Sequence, residues 1–370
     1  MDKLPVEMLL RIFELVSNED LKNVVLVCRR WREIGETPRL WSSFPVIVKT
    51  RNMSVMSEIL SSRRMKQLEK LRIESTLSEE VSQTIMDHPV LRKFELSEEN
   101  YTQTIISVLN VICSRSVEGT VLDMSGMSSR NNLSGVDPGL MAKAVTNLET
   151  LDIRASRLTS HQAAAVFTGV IEGSKMTELN IDWNDLSEVD PGLLAKVVTK
   201  LQKFYIKDTK LTQQQAAAIL TAVSEGSRLT TLNISGNNLS GADPRLMAKA
   251  FNNLETLEIS LTKLTPLQAT AILTGVSEES KMAELKISWN DLSEVDPGLL
   301  AKAVTNLKVL NVAYTKLTQQ KGVAILTAVS EGSRLTTLNI SGNNLLGVDP
   351  GLMAKAFNNL ETLDSRWQQY

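Results

Sequence analysis

The chain has 370 residues, with 40 basic and 42 acidic side chains and a formal charge of -2, so it lacks the positive excess typical of nucleic-acid binding. Two cysteines and two histidines are too few for a disulfide framework or a set of zinc modules. We therefore expect no nucleic acid, no metal and no other cofactor, and a reducing compartment, the cytoplasm or the nucleus.

The first residues do not read as a secretion signal. Charges at Asp2, Lys3, Glu7, Arg11 and Glu14 interrupt the apolar residues that such a signal needs in one run. No apolar stretch approaches the roughly 18 residues that cross a membrane. We expect a soluble, intracellular protein without a membrane partner.

Residues Leu4 to Trp41 predict a small helical module. Apolar residues recur at helical spacing from Met8 to Val16, a turn is indicated at Asn18 to Asp20, and a second apolar series runs from Leu21 to Cys28. The spacing leaves open which helix faces point inward. About forty residues cannot bury all of these side chains among themselves, so some must pack on the rest of the chain and some on a partner.

This module resembles an F-box. Its short motifs stand in that family's order: Leu4-Pro5, Ile12-Phe13, Asp20-Leu21, VCxxW from Val27 to Trp31, and Leu40-Trp41. The resemblance implies docking to the Skp adaptor, which links an F-box protein to the cullin and RING subunits of a ubiquitin ligase. Our candidates for the adaptor side, with Cys28 as a small apolar group, are Leu4, Pro5, Leu9, Ile12, Leu21, Val24, Cys28 and Trp31. The alternative is an ordinary helical cap that covers the first repeat.

The rest of the chain repeats with a period of 53 residues. The tag VDPGL begins at Val136, Val189, Val295 and Val348, and its variant ADPRL begins at Ala242. Each period holds two half-units of 28 and 25 residues, with predicted strand anchors at Leu122, Leu151, Leu179, Phe204, Leu232, Leu257, Leu285, Leu310, Leu338 and Leu363. Weaker copies extend back to Phe94, Leu71 and Val46, and an insertion, MSSR, lies at Met127 to Arg130. About twelve units are predicted.

Each unit reads L-x-x-L-x-[IV]-x-x-[NTS]-x-L, which resembles the leucine-rich repeat, and the 28-residue half-units resemble its ribonuclease-inhibitor type. Period-two alternation sends Leu232 and Ile234 inward on a strand. Asp-Pro pairs and Thr-x-x-Gln boxes begin the helices of alternate half-units. We expect an α/β solenoid, with a parallel sheet on the concave face and helices on the convex face, in which residues 1–42 form the F-box and residues 43–370 the repeats.

A polar ladder runs through the repeats. It consists of Asn184, Asn237, Asn290 and Asn343, which alternate with Ser156, Thr209, Thr262 and Thr315. These side chains can bond the backbone where each strand bends. We interpret them as structural.

The outward strand positions and the start of the following turn predict a target-binding face. The candidates are Arg154, Asp182, Trp183, Tyr205, Lys207, Glu258, Leu261, Lys286, Trp289 and Tyr314. Aromatic residues make up only 4% of the chain, yet two Trp-Tyr pairs share this stripe, about 20 Å apart at sheet spacing. Such anchors suit a protein ligand. Alternatively, the tryptophans fold over the bend and cover core, and the charges are a solvated face.

No catalytic motif is evident. A RING module needs eight metal ligands, whereas all cysteines and histidines together number four. Cys113 lies in an apolar stretch that predicts a buried helix face. The leading hypothesis is a non-catalytic substrate-recognition subunit of an SCF-type ubiquitin ligase. Two alternatives stay open: a binding or inhibitory scaffold similar to ribonuclease inhibitor, and a recently duplicated or truncated gene product of poor stability, suggested by the ending LETLDSRWQQY.

Overall fold

A computed structural model describes residues 4–42, 44–96, 102–115, 117–125, 133–173, 175–277 and 280–364. The chain forms two compact units, Met1–Ser156 and Arg157–Tyr370. The predicted insertion at Met127 to Arg130 and the last six residues of the chain lie outside the described residues.

The first unit begins with a helical module and continues with strand-helix repeats. Its helices are α1 Val6–Glu14, α2 Asn18–Val27, α3 Arg29–Gly35, α4 Met53–Ser61, α5 Glu79–Asp87, α6 Thr102–Cys113 and α7 Pro138–Val145. Its strands are β1 Val46–Val48, β2 Lys70–Ile73, β3 Lys93–Leu96, β4 Val121–Asp123 and β5 Thr150–Asp152. They pair in parallel in chain order, with Val46 opposite Leu71 and Leu122 opposite Leu151.

The second unit consists of strand-helix repeats. Its helices are α8 Ser160–Glu172, α9 Pro191–Lys200, α10 Gln213–Ser224, α11 Pro244–Phe251, α12 Pro266–Ser277, α13 Pro297–Asn306, α14 Gln319–Ser330 and α15 Pro350–Phe357. Its strands are β6 Glu178–Asn180, β7 Lys203–Tyr205, β8 Thr231–Asn233, β9 Thr256–Glu258, β10 Glu284–Lys286, β11 Val309–Asn311, β12 Thr337–Asn339 and β13 Thr362–Asp364. Neighbouring strands pair in parallel through their anchor residues, as in Leu232 opposite Leu257. The α/β leucine-rich-repeat architecture is confirmed, and so are the strand anchors.

The predicted helix starts are also confirmed. The carboxylates of Asp137, Asp190, Asp243, Asp296 and Asp349 each accept a backbone N–H in the first turn of their helix, with proline at the first helical position. Thr212 and Gln215 form a reciprocal capping box at the start of α10. At the other end, Gly226 has a φ of +110°, a conformation that glycine adopts without strain.

The asparagine ladder ties each bend to its neighbour. Asn237 is 1% exposed, and its Oδ1 accepts hydrogen bonds from the backbone N–H groups of Thr209 (3.2 Å) and Leu211 (3.1 Å). Its Nδ2 donates to the carbonyls of Ile206 (2.8 Å) and Ile234 (3.1 Å). Asn290 and Asn343 repeat these bonds. The predicted structural role is therefore confirmed.

We expect Asn237→Ala to lower the free energy of unfolding by about 3 kcal/mol, because buried backbone groups in two bends lose their partners. The matched control is Asn238→Ala at the adjacent exposed position, whose side chain bonds Ser240. It should cost less than about 1 kcal/mol. Urea denaturation followed by circular dichroism measures both. Equal losses would show that the ladder is not a main source of stability.

In the first unit, a buried histidine and a buried arginine bond several repeats together. His88 is 5% exposed; its Nε2 lies 2.8 Å from the Met65 carbonyl, and its Nδ1 accepts from the Leu91 N–H at 3.1 Å. Arg115, 4% exposed, donates to the carbonyls of Ile85, His88 and Leu91. Burial and the nearby guanidinium of Arg115 lower the pKa of His88 below its ordinary value of 6.5, and the Met65 bond opposes this only in part.

Stability of the first unit should therefore depend on pH through His88. Because the folded-state pKa is the lower one, the unfolded chain takes up the proton first, and stability is lost as pH falls from 6.5 through the folded-state pKa. We expect His88→Asn to remove this component of the pH dependence. His161→Asn, at the exposed histidine, should leave it intact. Thermal unfolding of the three proteins between pH 7.5 and pH 5 tests this, and an unchanged slope in His88→Asn would contradict it.

Candidate functional site

The helical module, residues 4–42, is built around a small core of its own. Phe13 of α1 meets Trp31 of α3 edge-on, with ring centroids 5.3 Å apart. The buried indole N–H of Trp41 donates to the Gly35 carbonyl at 2.7 Å. These contacts join α1, α3 and the turn that follows them.

Three of the eight residues expected on the adaptor side lie in this core, which corrects the expectation. Leu9, Leu21 and Val24 are 1%, 2% and 8% exposed. Helix α1 carries apolar residues on two faces, and the face that contains Leu9 is the one that packs inward. A partner cannot reach these side chains while the module is folded.

The other five expected residues are accessible to different degrees. Pro5, Ile12 and Cys28 are exposed, whereas Leu4 and Trp31 are half-buried. Cys28 does more than fill apolar space: it is the N-cap of α3, and its Sγ accepts the Trp31 N–H at 3.4 Å.

Several exposed apolar residues of the module were missed by the sequence argument. They are Val6, Met8, Leu15, Leu26 and Val27, between 46% and 88% exposed. Met8, Ile12 and Leu15 follow helical spacing and so share one face of α1. The signal was present in the sequence, but the face with Leu9 and Phe13 has the same spacing, and spacing alone cannot rank two such faces.

The module also packs on the first repeat. The rings of Trp41 and Phe44 lie 4.9 Å apart, and the guanidinium of Arg64 sits 5.5 Å from the centre of the Trp41 ring. Arg64 also pairs with Glu36 at 3.2 Å. The module therefore covers the start of the repeats, as a cap would, and still presents apolar residues to solvent.

In the second unit, the third residue after each of the strands β6 to β12 adopts the left-handed backbone conformation. The residues and their φ angles are Trp183 (56°), Asp208 (51°), Gly236 (73°), Leu261 (57°), Trp289 (58°), Tyr314 (55°) and Gly342 (66°). They recur at steps of 25 and 28 residues. The backbone N–H groups of the first six donate to carbonyls of the next half-unit, as Trp289 does to Ala313 at 3.0 Å. We call these residues the left-handed row.

Large side chains are costly in this row. Glycine adopts the conformation without strain, as at Gly236 and Gly342, whereas other residues lose roughly 1–2 kcal/mol through contact between Cβ and the backbone. Trp183, Leu261 and Trp289 are nevertheless here, and they are 46%, 56% and 56% exposed. Neither the backbone conformation nor the core requires these large side chains.

Trp183 is already engaged by its own chain. Its indole Nε1 donates to the Asp208 carboxylate at 3.2 Å, and the Lys207 ammonium lies 5.0 Å from the ring centre. Sequence reasoning paired Trp183 with Tyr205, but in the parallel register Tyr205 stands opposite Asn180. Trp183 therefore contacts Asp208 through its indole N–H and the half-buried Lys207 through its ring.

Asp182 is a correction to the predicted target-binding set. It is 5% exposed, and its Oδ1 accepts the backbone N–H of Lys207 at 2.5 Å. Ser235, the equivalent residue 53 positions later, accepts the N–H of Ser260 at 3.1 Å. Asp182 therefore joins neighbouring half-units.

Other predicted charges on the strand face are paired within the chain. Glu258 and Lys286 lie opposite each other on β9 and β10 and form an ion pair. Arg154, in the first unit, pairs with Asp152. These residues are half-exposed and could still contact a ligand, but their charges are balanced locally.

The most exposed aromatic site is formed by Trp289 and Tyr314. Their rings stack at a centroid distance of 4.2 Å and an interplanar angle of 11°. The Tyr314 ring also lies against Gly342, where an added Cβ would stand 2.4 Å from two ring carbons. Leu261 occupies the preceding position of the left-handed row. The three side chains form an apolar strip bounded by glycines at Gly236 and Gly342.

A row of charged residues runs two positions after the left-handed row. Lys210 pairs with Asp185 at 2.7 Å, and Lys316 pairs with Asp291 at 2.6 Å. Hydrogen bonds from these lysines and from serine hydroxyls lower the pKa of both carboxyls to about 2. Lys263 occupies the position equivalent to Lys210 and Lys316. The residue one half-unit before it is Asn238, where the other two lysines have an aspartate. Within the described ranges, Lys263 has no ion-pair partner.

Trp289, Tyr314, Asp291, Lys263 and Lys316 line an open groove of about 530 Å³ together with Leu264, Asn290 and Gly342. Its floor belongs to the asparagine ladder, because Asn290 is buried there. The groove therefore stands on a buried residue that is hydrogen-bonded to neighbouring backbone. It offers apolar contact, an indole N–H and the ammonium of Lys263.

Nucleophilic and metal chemistry have little to build on in the described part of the chain. No three His, Cys, Asp or Glu side chains lie close enough there to hold a metal ion. Cys113 is half-buried on α6, and burial raises the pKa of its thiol, which lowers its nucleophilicity at neutral pH. Among the described helices, none is long and apolar enough to cross a membrane.

Comparison with solved structures gives weak overall likeness. A leucine-rich-repeat protein from Leptospira interrogans is 17% identical, with a TM-score of 0.49, and the match covers 82% of this chain and 74% of that one. Toll-like receptor 13, in its complex with single-stranded RNA, is 13% identical, with a TM-score of 0.46, and the match covers 83% of this chain and 45% of the receptor. No curated protein matches the chain.

Comparison with protein families is more specific. The F-box-like family model matches residues 1–44, and the Leucine Rich Repeat model matches residues 228–250 and 334–356. The first match spans the helical module, and the other two span β8 with α11 and β12 with α15. The chain thus contains an F-box-like domain at residues 1–44 and leucine-rich repeats, a combination of two protein-interaction modules.

Proposed function

We propose that the chain is the substrate-recognition subunit of an SCF-type ubiquitin ligase. Its helical module binds a Skp adaptor, its repeats bind a target protein, and the cullin and RING subunits supply the rest of the ligase. The chain itself is then a non-catalytic receptor, located in the cytoplasm or the nucleus. The proposal extends the F-box-like match and the repeat architecture.

The observation that carries the proposal is the apolar surface of the helical module. Of the thirteen exposed large apolar side chains found among the described residues, six belong to the module: Val6, Met8, Ile12, Leu15, Leu26 and Val27. The module already has a core, made by Leu9, Phe13 and Leu21 among others, so these six are surplus to its own folding. Apolar residues concentrated in this way favour a permanent protein partner.

The adaptor side that we propose differs from the one expected from the sequence. It keeps Pro5, Ile12 and Cys28, with Leu4 and Trp31 at its edge, and it adds the exposed apolar residues of α1 and α2. Leu26 and Val27 end α2 just before Cys28, so the surface continues into the start of α3. Burial of several such side chains supplies enough free energy for a stable complex.

One observation favours the alternative, a protein-binding scaffold whose helical module is only a cap. The packing of Trp41 and Arg64 on the first repeat is what a cap requires. A cap, however, gives no reason for Leu15 to be 88% exposed. Binding to the adaptor separates the two functions.

We expect Ile12→Glu combined with Leu15→Glu to weaken adaptor binding at least tenfold, since both substitutions place charge in an apolar interface. The matched control is Val55→Glu with Ile59→Glu, two exposed apolar residues on α4. Calorimetry of the full chain with purified Skp adaptor measures the affinities, and circular dichroism checks folding. If the folded wild-type chain does not bind the adaptor, the ligase function is wrong and the scaffold function stands.

A further inference from the structure

The second unit contains the same tryptophan site twice, 106 residues apart. Trp183 and Trp289 are equivalent members of the left-handed row. In both copies the second row position after the tryptophan is a glycine, Gly236 or Gly342. Two neighbouring positions differ between the copies. Lys207 and Asp208 in the first copy correspond to Ala313 and Tyr314 in the second.

These two differences decide what each indole contacts. In the first copy the chain places a carboxylate on the indole N–H and an ammonium near the ring. In the second, the ring of Tyr314 takes the place of the carboxylate-bearing side chain, and the indole N–H of Trp289 has no acceptor among the residues that the structure describes. In the first copy the indole N–H therefore bonds a carboxylate of its own chain. In the second copy the equivalent N–H is left for a carboxylate that a ligand supplies.

The charges around the second copy point in the same direction. Asp291 is held by Lys316, which leaves the ammonium of Lys263 as the unbalanced charge of the groove. The groove is locally positive although the chain as a whole carries a charge of -2. The edge of the Trp289 ring carries the indole N–H, and the edges of aromatic rings are electropositive, so a carboxylate is favoured over a cation at this edge.

We infer that the groove beside Trp289 and Tyr314 binds an extended segment of a partner protein in which an acidic side chain stands next to an apolar one. The carboxylate accepts from the Trp289 indole N–H and pairs with Lys263, and the apolar residue packs on the strip formed by Leu261, Trp289 and Tyr314. This inference rests on the proposed function, because it names the kind of target segment that the repeats recognise.

The groove suits a peptide because it is open and flanked by exposed side chains. Trp289 is 56% exposed, and the side chain of Lys316 is 72% exposed. An extended segment can lie along the apolar strip, whose members follow successive strands about 4.8 Å apart. Aromatic anchors of this kind carry much of the affinity of peptide and protein interfaces.

The test is selection of a random peptide library, displayed on phage, on the full 370-residue chain. We expect enriched peptides to contain Asp or Glu beside an apolar residue. Fluorescence polarisation with the synthetic peptides then gives their affinities for variants of the chain. Enrichment of basic or uncharged peptides, or of none, would overturn the inference.

The chain offers matched variants. Trp289→Gly introduces the residue found at Gly236 and Gly342, so it relieves backbone strain and should fold; we expect it to weaken peptide binding at least tenfold. Trp183→Gly, the same change at the equivalent position, should leave binding unchanged. Lys263→Glu should weaken binding about tenfold, whereas Lys281→Glu, at another exposed lysine, should not. Equal effects within either pair would refute the site.

A second pair tests the position of Tyr314 without changing its chemistry. Gly342→Ala forces the Tyr314 ring to move, and Gly236→Ala forces Asp208 to move, at the same backbone conformation. Only Gly342→Ala should weaken peptide binding. Adaptor affinity is measured on the same proteins and should not change, so failure of the peptide site and failure of the ligase function remain distinguishable.

Discussion

The buried asparagine of each 25-residue half-unit is the interaction on which the rest of the repeat depends. A strand of three residues cannot fix its own direction, and the bend after it leaves backbone groups without partners. Asn237, Asn290 and Asn343 satisfy such groups in their own bend and in the preceding one. They thereby hold the left-handed row in place, and the surface that a ligand would meet is set by a buried amide.

Duplication explains why this support is uniform along the second unit. The eleven residues from Arg228 to Asn238 recur at Arg334 to Asn344, so the bend of one half-unit is copied unchanged into another. The copies diverged where the fold allows it. Lys207 and Asp208 in one copy correspond to Ala313 and Tyr314 in the other. This difference alters the surface and leaves the asparagine ladder unchanged. The same backbone conformation therefore carries Trp183, whose indole N–H bonds Asp208 of the same chain, and Trp289, whose indole is stacked on Tyr314.

Much of the fold could be predicted from the sequence because its signals are local. The Asp-Pro caps, the Thr-Gln capping boxes and the strand anchors each depend on a few neighbouring residues, and the structure contains them as expected. The sites were harder to predict. Helix α1 has two apolar faces of equal spacing, and only packing buries Leu9 while leaving Leu15 exposed. Asp182 reads as an outward charge until its bond to the Lys207 N–H is seen.

The left-handed row was not predicted at all, since glycine marks it at only two of its seven positions in the second unit. Its remaining members are a carboxylate, an aliphatic residue and three aromatic residues, all on the same backbone conformation. The backbone hydrogen bonds of the row thus fix the same main-chain conformation under glycine, acidic, aliphatic and aromatic side chains. Recognition can then diversify along the row without rebuilding the backbone, provided that each new side chain fits the neighbouring row position, as the Tyr314 ring fits against Gly342.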